Sequence, residues 1–336
     1  MKNIVIIEDT SINDLGGGQR VTLESIDAFK KHDEYKVWVF DIGGGLSFTK
    51  LVNNKNVFLK SFHLANKVQF SIMLIIIVLT ILKQMKNMEF IAYPVTKKGL
   101  LVTFFIKMFR SDVKTVFHQH IRLNFFFNKL KNISQKVILP SKFKEDFVVE
   151  HIVIQNPVVT KKVKAEYSGR SKDELVIGFM GALTKLKGFD VFLQAIQYCN
   201  FKVKIAGQGE LEKSIPDKKN VEYLGYLNEE LKLDFLKGID VLVFPSIVPE
   251  PFSLVCFESL FNYNPIVCFD LGYPSQVVRN FNVGVVACGI DGHSLADAIE
   301  KCSENIELLS ENCYGVIERY DNKIFETDLI KVFNEL

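Results

Sequence analysis

Short apolar runs alternate with longer mixed stretches along most of the chain. Residues 3–7 (NIVII) predict a strand, followed by the loop Asp14-Leu15-Gly16-Gly17-Gly18 and a helix from about Gln19 to Lys31. Further strands are predicted at 36–41, 57–60, 89–93, 113–118 and 136–141, with helices at 67–86 and 98–110. Strands that read as continuous apolar runs between helices argue for βαβ units and a parallel sheet covered on both faces. The pattern breaks at 157–173, a polar stretch with Pro157, four lysines and Ser168-Gly169-Arg170-Ser171, which reads as a linker. It restarts with strands at 175–180, 202–206, 221–224, 239–244, 265–269 and 284–287. Helices are predicted at about 188–199, 228–237, 253–262 and 293–304, with a mostly helical end at 313–335. The expected fold class is therefore α/β, with two doubly wound Rossmann-like domains. Ligands of such sheets bind beyond the carboxyl ends of the strands, so a central cleft faced by both domains is the expected site.

One helix stands apart. Phe70–Leu82 (FSIMLIIIVLTIL) is apolar all round, yet thirteen residues are too few for a hydrocarbon core that needs about 20. It reads as a buried helix or, with Lys67, Lys83 and Lys86 at its flanks, as a helix lying in a membrane interface.

Composition adds little until it is divided. At 336 residues, 48% hydrophobic and 24% charged, the chain is too apolar for a disordered segment and long enough for two cores. The net charge of +2 hides 22 basic against 13 acidic residues over 1–155, and 19 against 26 over the remainder. Within 42–144 there are 17 basic residues and two acidic ones, Glu89 and Asp112, which suits an anionic partner. No basic motif interleaved with aromatics points to nucleic acid. The six cysteines form no CxxC pair and fit a reducing cytoplasm, and the short apolar run ending at Glu8-Asp9 does not read as a signal peptide.

Five features carry candidate chemistry. Gly16-Gly17-Gly18 lies between a strand and a helix, where backbone N–H groups can approach a phosphate. It does not match GxGxxG, which disfavours a dehydrogenase. Gly181–Gly188 (GALTKLKG) ends the first strand of the second series and offers Lys185 and Lys187 as point charges for a diphosphate. Gly207 and Gly209, in AGQGELE, permit close backbone approach after another strand. In FPSIVPEPFSLVCFESL, Glu250 sits in a Pro-rich loop. Backbone N–H groups at Phe252, Ser253 and Leu254 open the next helix, and Glu258 follows two turns on. Last, His118 and His120 end a strand of the first series and point to one side; no third ligand nearby suggests a metal.

EPFSLVCFE fits the E-x7-E motif of the retaining nucleotide-sugar glycosyltransferases of family 4 (group 1 glycosyltransferases). GALTKLKG and AGQGELE resemble that family's Gly-rich strand end and Gly-x-Gly-x-x-Leu loop; the early glycine loop, the His, Ser141-Lys142 and Asn156-Pro157 fit in order. The resemblance implies a GT-B architecture. An acceptor-binding domain would cover 1–156, a linker 157–173, a nucleotide-sugar-binding domain 174–314, and a helix at 315–336 would cross back to the first domain. It further implies that Lys187 binds the donor diphosphate, Glu258 the ribose, and Glu250 the transferred sugar. The Gly16–Gly18 loop would approach the phosphates, and His118, or alternatively His120, would sit near sugar and acceptor. Retention at the anomeric carbon, by front-face attack assisted by the leaving phosphate, and independence from any metal or cofactor also follow from the resemblance.

The acceptor would be a glycan or a polyprenyl-diphosphate-linked sugar in bacterial surface polysaccharide synthesis. The protein would then be cytoplasmic and peripheral on the inner face of the cell membrane. Three departures are visible: Ala182 where the family has Arg, a loss that Lys185 would replace; Tyr263 in place of a Gly; and Gln276 in place of a Glu. They keep two other readings open, a nucleotide-sugar epimerase or hydrolase on the same fold, and a degenerate binding subunit.

Overall fold

The computed structural model describes residues 1–9, 17–43, 56–62, 67–120, 123–141, 150–158 and 174–336. Two compact units emerge, one of Met1–Pro157 with Asn322–Leu336 and one of Val158–Asp321.

The first unit is built on a seven-stranded parallel sheet, formed by β1 (Lys2–Glu8), β2 (Tyr35–Asp41), β3 (Val57–Ser61), β4 (Phe90–Pro94), β5 (Lys114–His118), β6 (Lys136–Leu139) and β7 (His151–Val153). Their order, β3-β2-β1-β4-β5-β6-β7, reverses direction between β1 and β4. The sheet is covered on both faces. On one, α1 (Gly17–Lys30) and the last helix, α11 (Asn322–Asn334), pack Phe29, Tyr93, Leu329 and Phe333 together. The rings of Phe29 and Phe333 meet edge to face at 4.9 Å, the geometry favoured by the ring quadrupole. On the other face, α2 (Lys67–Gln84) and α3 (Lys97–Phe109) bury Phe70, Ile77, Ile81 and Ile106 against Trp38 and Phe40. A short α4 (Phe125–Leu130), capped by Asn124 accepting from Phe127 N–H at 3.1 Å, follows β5.

The second unit carries a six-stranded parallel sheet ordered β10-β9-β8-β11-β12-β13. The strands are β8 (Val176–Met180), β9 (Lys202–Ala206), β10 (Val221–Tyr223), β11 (Val241–Phe244), β12 (Ile266–Cys268) and β13 (Gly284–Val286). Around them lie α5 (Phe189–Ala195), α6 (Glu229–Lys237), α7 (Leu254–Phe261), α8 (Gly272–Phe281), α9 (Gly292–Glu304) and α10 (Ile306–Arg319). Here the strand order reverses between β8 and β11.

Several expectations are corrected. The helix after β1 begins at Gly17, so Gly17 and Gly18 form its first turn rather than a loop, and Gly16 lies outside the described residues. Residues 159–173, most of the expected linker, and Lys142 also lie outside them. Three elements carried no sequence signal: α4, whose Phe125-Phe126-Phe127 shows no helical period, the edge strand β7, and α8. Gly-Tyr-Pro at the start of α8 reads as a loop. Pro274 is tolerated there because first-turn N–H groups have no intrahelical partner. Residues 315–321 were expected with the helix crossing back. They instead complete α10 and its cap, where Tyr320 packs on Phe257 at 4.6 Å within the second unit.

The apolar run 70–82 is neither wholly buried nor long enough to cross a bilayer. Phe70, Ile77, Val78 and Ile81 enter the core, while Ile72, Ile75, Ile76 and Leu79 are exposed. No described helix is long and apolar enough to cross a membrane.

Candidate functional site

The densest convergence of predicted residues lies at the strand reversal of the second unit. The segments after β8, β9 and β11 are sewn together there by backbone hydrogen bonds. Gly181 N–H donates to Ala206 O at 3.1 Å, Leu183 N–H to Gln208 O at 2.9 Å, and Leu211 N–H to Leu183 O at 3.0 Å. Ile247 N–H donates to Leu186 O at 3.2 Å, which joins the β8 and β11 loops.

Two glycines make this closeness possible. Gly207, at φ +131°, has the Gly181 carbonyl where a Cβ would stand, 1.8 Å away. Gly188, at φ +66°, has the Pro245 carbonyl at the same distance. Gly188→Ala is therefore expected to cost well over the roughly 1–3 kcal/mol of a strained backbone alone, because the β11 loop must also move. Urea unfolding of the variant checks this; an unchanged midpoint would contradict it.

This frame brings Lys187 and Glu250 into contact. Lys187 ends a turn of 3-10 helix (Lys185–Lys187) after β8, and its Nζ donates to Glu250 Oε1 from the β11 loop. Ser246 Oγ donates to the same carboxylate oxygen at 3.3 Å. Glu250 is held from behind as well, since its carbonyl accepts from Tyr273 N–H at 2.8 Å at the start of α8. Lys185 is exposed two residues before Lys187, at the rim of the same turn. Helix α7 begins at Leu254, with Ser253 as its cap residue and Phe252 buried, so its N–H end directly follows the loop that carries Glu250. An ammonium group and a helix N-terminus at one strand reversal suit an anionic ligand.

Glu258 is placed differently. It lies on α7, almost wholly buried, and accepts from Lys232 Nζ of α6 at 2.7 Å. Lys232 was not anticipated, because nothing in its helix marks it apart from other lysines. The nearby Cys256 thiol is pushed well up by burial and stays protonated.

In the first unit His118 ends β5 and is fully buried. Its Nδ1 lies 2.6 Å from the Tyr93 hydroxyl at the end of the neighbouring β4, and its Nε2 has no partner. His120 lies beyond the strand and packs its ring on His118 at 4.1 Å; both its ring nitrogens lack partners. Phe325 of α11 stacks on His118 at 6.4 Å. Tyr93 was missed by sequence reasoning. The only signal for it is its position at the end of the strand next to β5. Among the described residues no group of three or more His, Cys, Asp or Glu is arranged to hold a metal ion.

Burial, with the neighbouring His120 second, holds His118 well below the ordinary imidazole range, and burial pulls His120 down to about 4. Both rings are neutral at pH 7. The unfolded chain binds protons at these rings below about pH 6.5 while the folded one does not, so stability present above that pH is lost as it falls towards 4. His120 alone is expected to remove about 2 kcal/mol by pH 5. Denaturant midpoints at pH 7.5 and 5 check this, and His120→Phe should flatten the dependence.

Two parallel α/β units, each with one reversal of strand order, make up the GT-B fold. Residues 160–313 match the family model for glycosyl transferases group 1. An uncharacterized glycosyltransferase of Methanocaldococcus jannaschii is 25% identical over 249 residues, 71% of this chain and 70% of that protein. The O-antigen chain mannosyltransferase C of Escherichia coli is 28% identical over 145 residues, 41% of this chain and 38% of its own length. In fold, the chain matches Anabaena Alr3699/HepE, solved in complex with UDP and glucose. The TM-score is 0.80 at 17% identity, covering 100% of both chains.

Proposed function

We propose that this glycosyltransferase moves a sugar from a nucleotide-diphosphate-sugar to a glycan or polyprenyl-diphosphate-linked acceptor, with retention at the anomeric carbon. The setting is bacterial surface polysaccharide synthesis on the inner face of the cell membrane. The observation that carries the reading is Lys187 meeting Glu250 at the β8/β11 reversal beside the start of α7. Breaking the sugar–phosphate bond places positive charge on the sugar and negative charge on the departing diphosphate. The Lys187 ammonium and the α7 N–H groups supply a preorganised field for the second charge. Lys187 exchanges the Glu250 carboxylate for the diphosphate, and the released Glu250 is available to the sugar hydroxyls. Glu258 takes the ribose. His118, neutral and with an unpartnered Nε2, offers hydrogen bonding to sugar or acceptor rather than a charge. The O-antigen relative supports the surface-polysaccharide setting, and the basic composition of 42–144 supports work at an anionic surface. No cofactor enters this scheme.

A thermal-shift screen against UDP-, GDP- and dTDP-sugars is the first test. A ligand that binds only the folded state raises the melting temperature, by about 2.7 kcal/mol of stability at a hundredfold excess over Kd. No shift with any of them would remove the donor reading. NMR of the anomeric proton in the product then tests retention, and nucleotide release without an acceptor product would favour a hydrolase.

A further inference from the structure

We propose that the outward face of α2 and α3, with the tip of α4, is the surface through which the first unit seats itself in an anionic bilayer, at the boundary of headgroups and acyl chains. This deepens the membrane setting proposed above and rests on it for its purpose. The binding itself is independent of the transfer chemistry.

The first observation is geometric. Ile72, Ile75, Ile76 and Leu79 are 50–70% exposed and recur at the spacing of one helix face. Met108 and Phe109 on α3 are similarly exposed, as are Phe125 and Phe126 on α4. Between α2 and α3 runs an apolar groove of about 430 Å³, lined by Leu74, Ile75, Val78, Leu79, Phe105 and Met108 among others, with Ser71 its one polar wall. Scattered exposed apolar residues are ordinary, but a contiguous patch of this kind marks an interaction surface. The opposite side of α2 is committed to the sheet through Ile77 and Ile81, so the helix lies along the surface and cannot turn to cross a bilayer.

Charge selects the occupant. The sequences of α2, α3 and α4 contain no Asp or Glu, and their ends and flanks carry lysines. Lys83 and Lys86 are exposed at the end of α2. Lys129 lies over the Phe125 ring at 4.5 Å and Lys97 near the Phe127 ring at 6.0 Å, so cations border the exposed aromatic tip. A second copy of the chain docked face to face would set like charges against each other, which is unfavourable. Anionic headgroups neutralise these lysines while Ile, Leu, Met and Phe leave water, the combination by which interfacial helices bind. The groove then receives one acyl chain.

Flotation of the full chain tests this, using phosphatidylcholine vesicles with and without phosphatidylglycerol, at low and high salt. Wild type is expected to float with the anionic vesicles at low salt and largely to lose them at high salt. Ile75→Ser/Leu79→Ser/Phe109→Ser should bind at least tenfold less. Its melting temperature and its thermal shift with a nucleotide-sugar should not change, because these side chains face outward. Lys83→Gln/Lys86→Gln should weaken binding and flatten its salt dependence. The proposal is overturned if wild type fails to float at low salt, or if the triple serine variant floats as wild type does. It is also overturned if sedimentation shows a dimer that the triple variant abolishes without any vesicle binding. A nucleotide-sugar shift that survives any of these results leaves the donor reading standing, so the two failures are distinguishable.

Discussion

Replacing Lys187 by alanine is expected to lower kcat/KM for the nucleotide-sugar by about 10²–10³, the loss typical of removing one preorganised donor to developing negative charge. The effect should be kinetic rather than structural. The Lys187 side chain is 36% exposed and donates to the Glu250 carboxylate, which retains Ser246 when the lysine is removed. Melting temperature should therefore move little while turnover collapses. Lys187→Arg should recover only part of the rate, since a planar fork does not reproduce a compact ammonium. Steady-state kinetics with the donor identified by thermal shift provide the check. Wild-type turnover in Lys187→Ala would mean that the diphosphate is held elsewhere, and Lys185→Ala is the comparison that finds where.

Glu258→Ala should behave in the opposite manner, costing stability and affinity together. Its carboxylate is 3% exposed and lies 2.7 Å from Lys232 Nζ, whose side chain is 18% exposed. Removing one member of such a buried pair typically costs about 3–5 kcal/mol, because the remaining charge loses an opposite charge packed against it. A value near the lower end is expected here, since Lys232 keeps partial contact with solvent. Glu258→Gln should lose less stability, as the amide oxygen can still accept from Lys232. Both variants should bind the nucleotide more weakly than wild type if the ribose is read by this carboxylate. Urea unfolding measures the first effect and isothermal titration with the nucleotide diphosphate the second. Unaltered affinity in Glu258→Gln would confine Glu258 to a structural role.

The contrast between the two residues reflects how each was legible. Lys187 and Glu250 stand 63 positions apart. Each could be placed at a strand end from local pattern, and the resemblance to a known motif named both. Their contact depends on β8 and β11 being neighbours in the sheet, and strand order is a tertiary choice that no local pattern reports. The Lys232–Glu258 pair is less legible still, since it joins side chains of two separate helices, α6 and α7. Tyr93 reaches His118 by the same kind of adjacency, across β4 and β5.

By itself, the amino-acid sequence determined the alternation of strands and helices, the division into a basic and an acidic half, and the glycines and lysine of the loops after β8 and β9. These rest on local causes: backbone conformation, apolar periodicity and residue chemistry. It left open which side of the apolar 70–82 helix is covered, because a helix apolar all round fits a buried place and an interfacial one equally. Only packing resolved that, by committing Phe70, Ile77 and Ile81 to the sheet and leaving Ile72, Ile75, Ile76 and Leu79 outside. The end of the second unit was decided in the same way. Tyr320 is anchored by Phe257 and by its hydroxyl contact with Tyr273 at 2.8 Å, while the next helix buries Phe325, Leu329 and Phe333 in the first unit. In both cases the deciding energy is burial against a surface formed by distant parts of the chain, which a linear pattern does not contain.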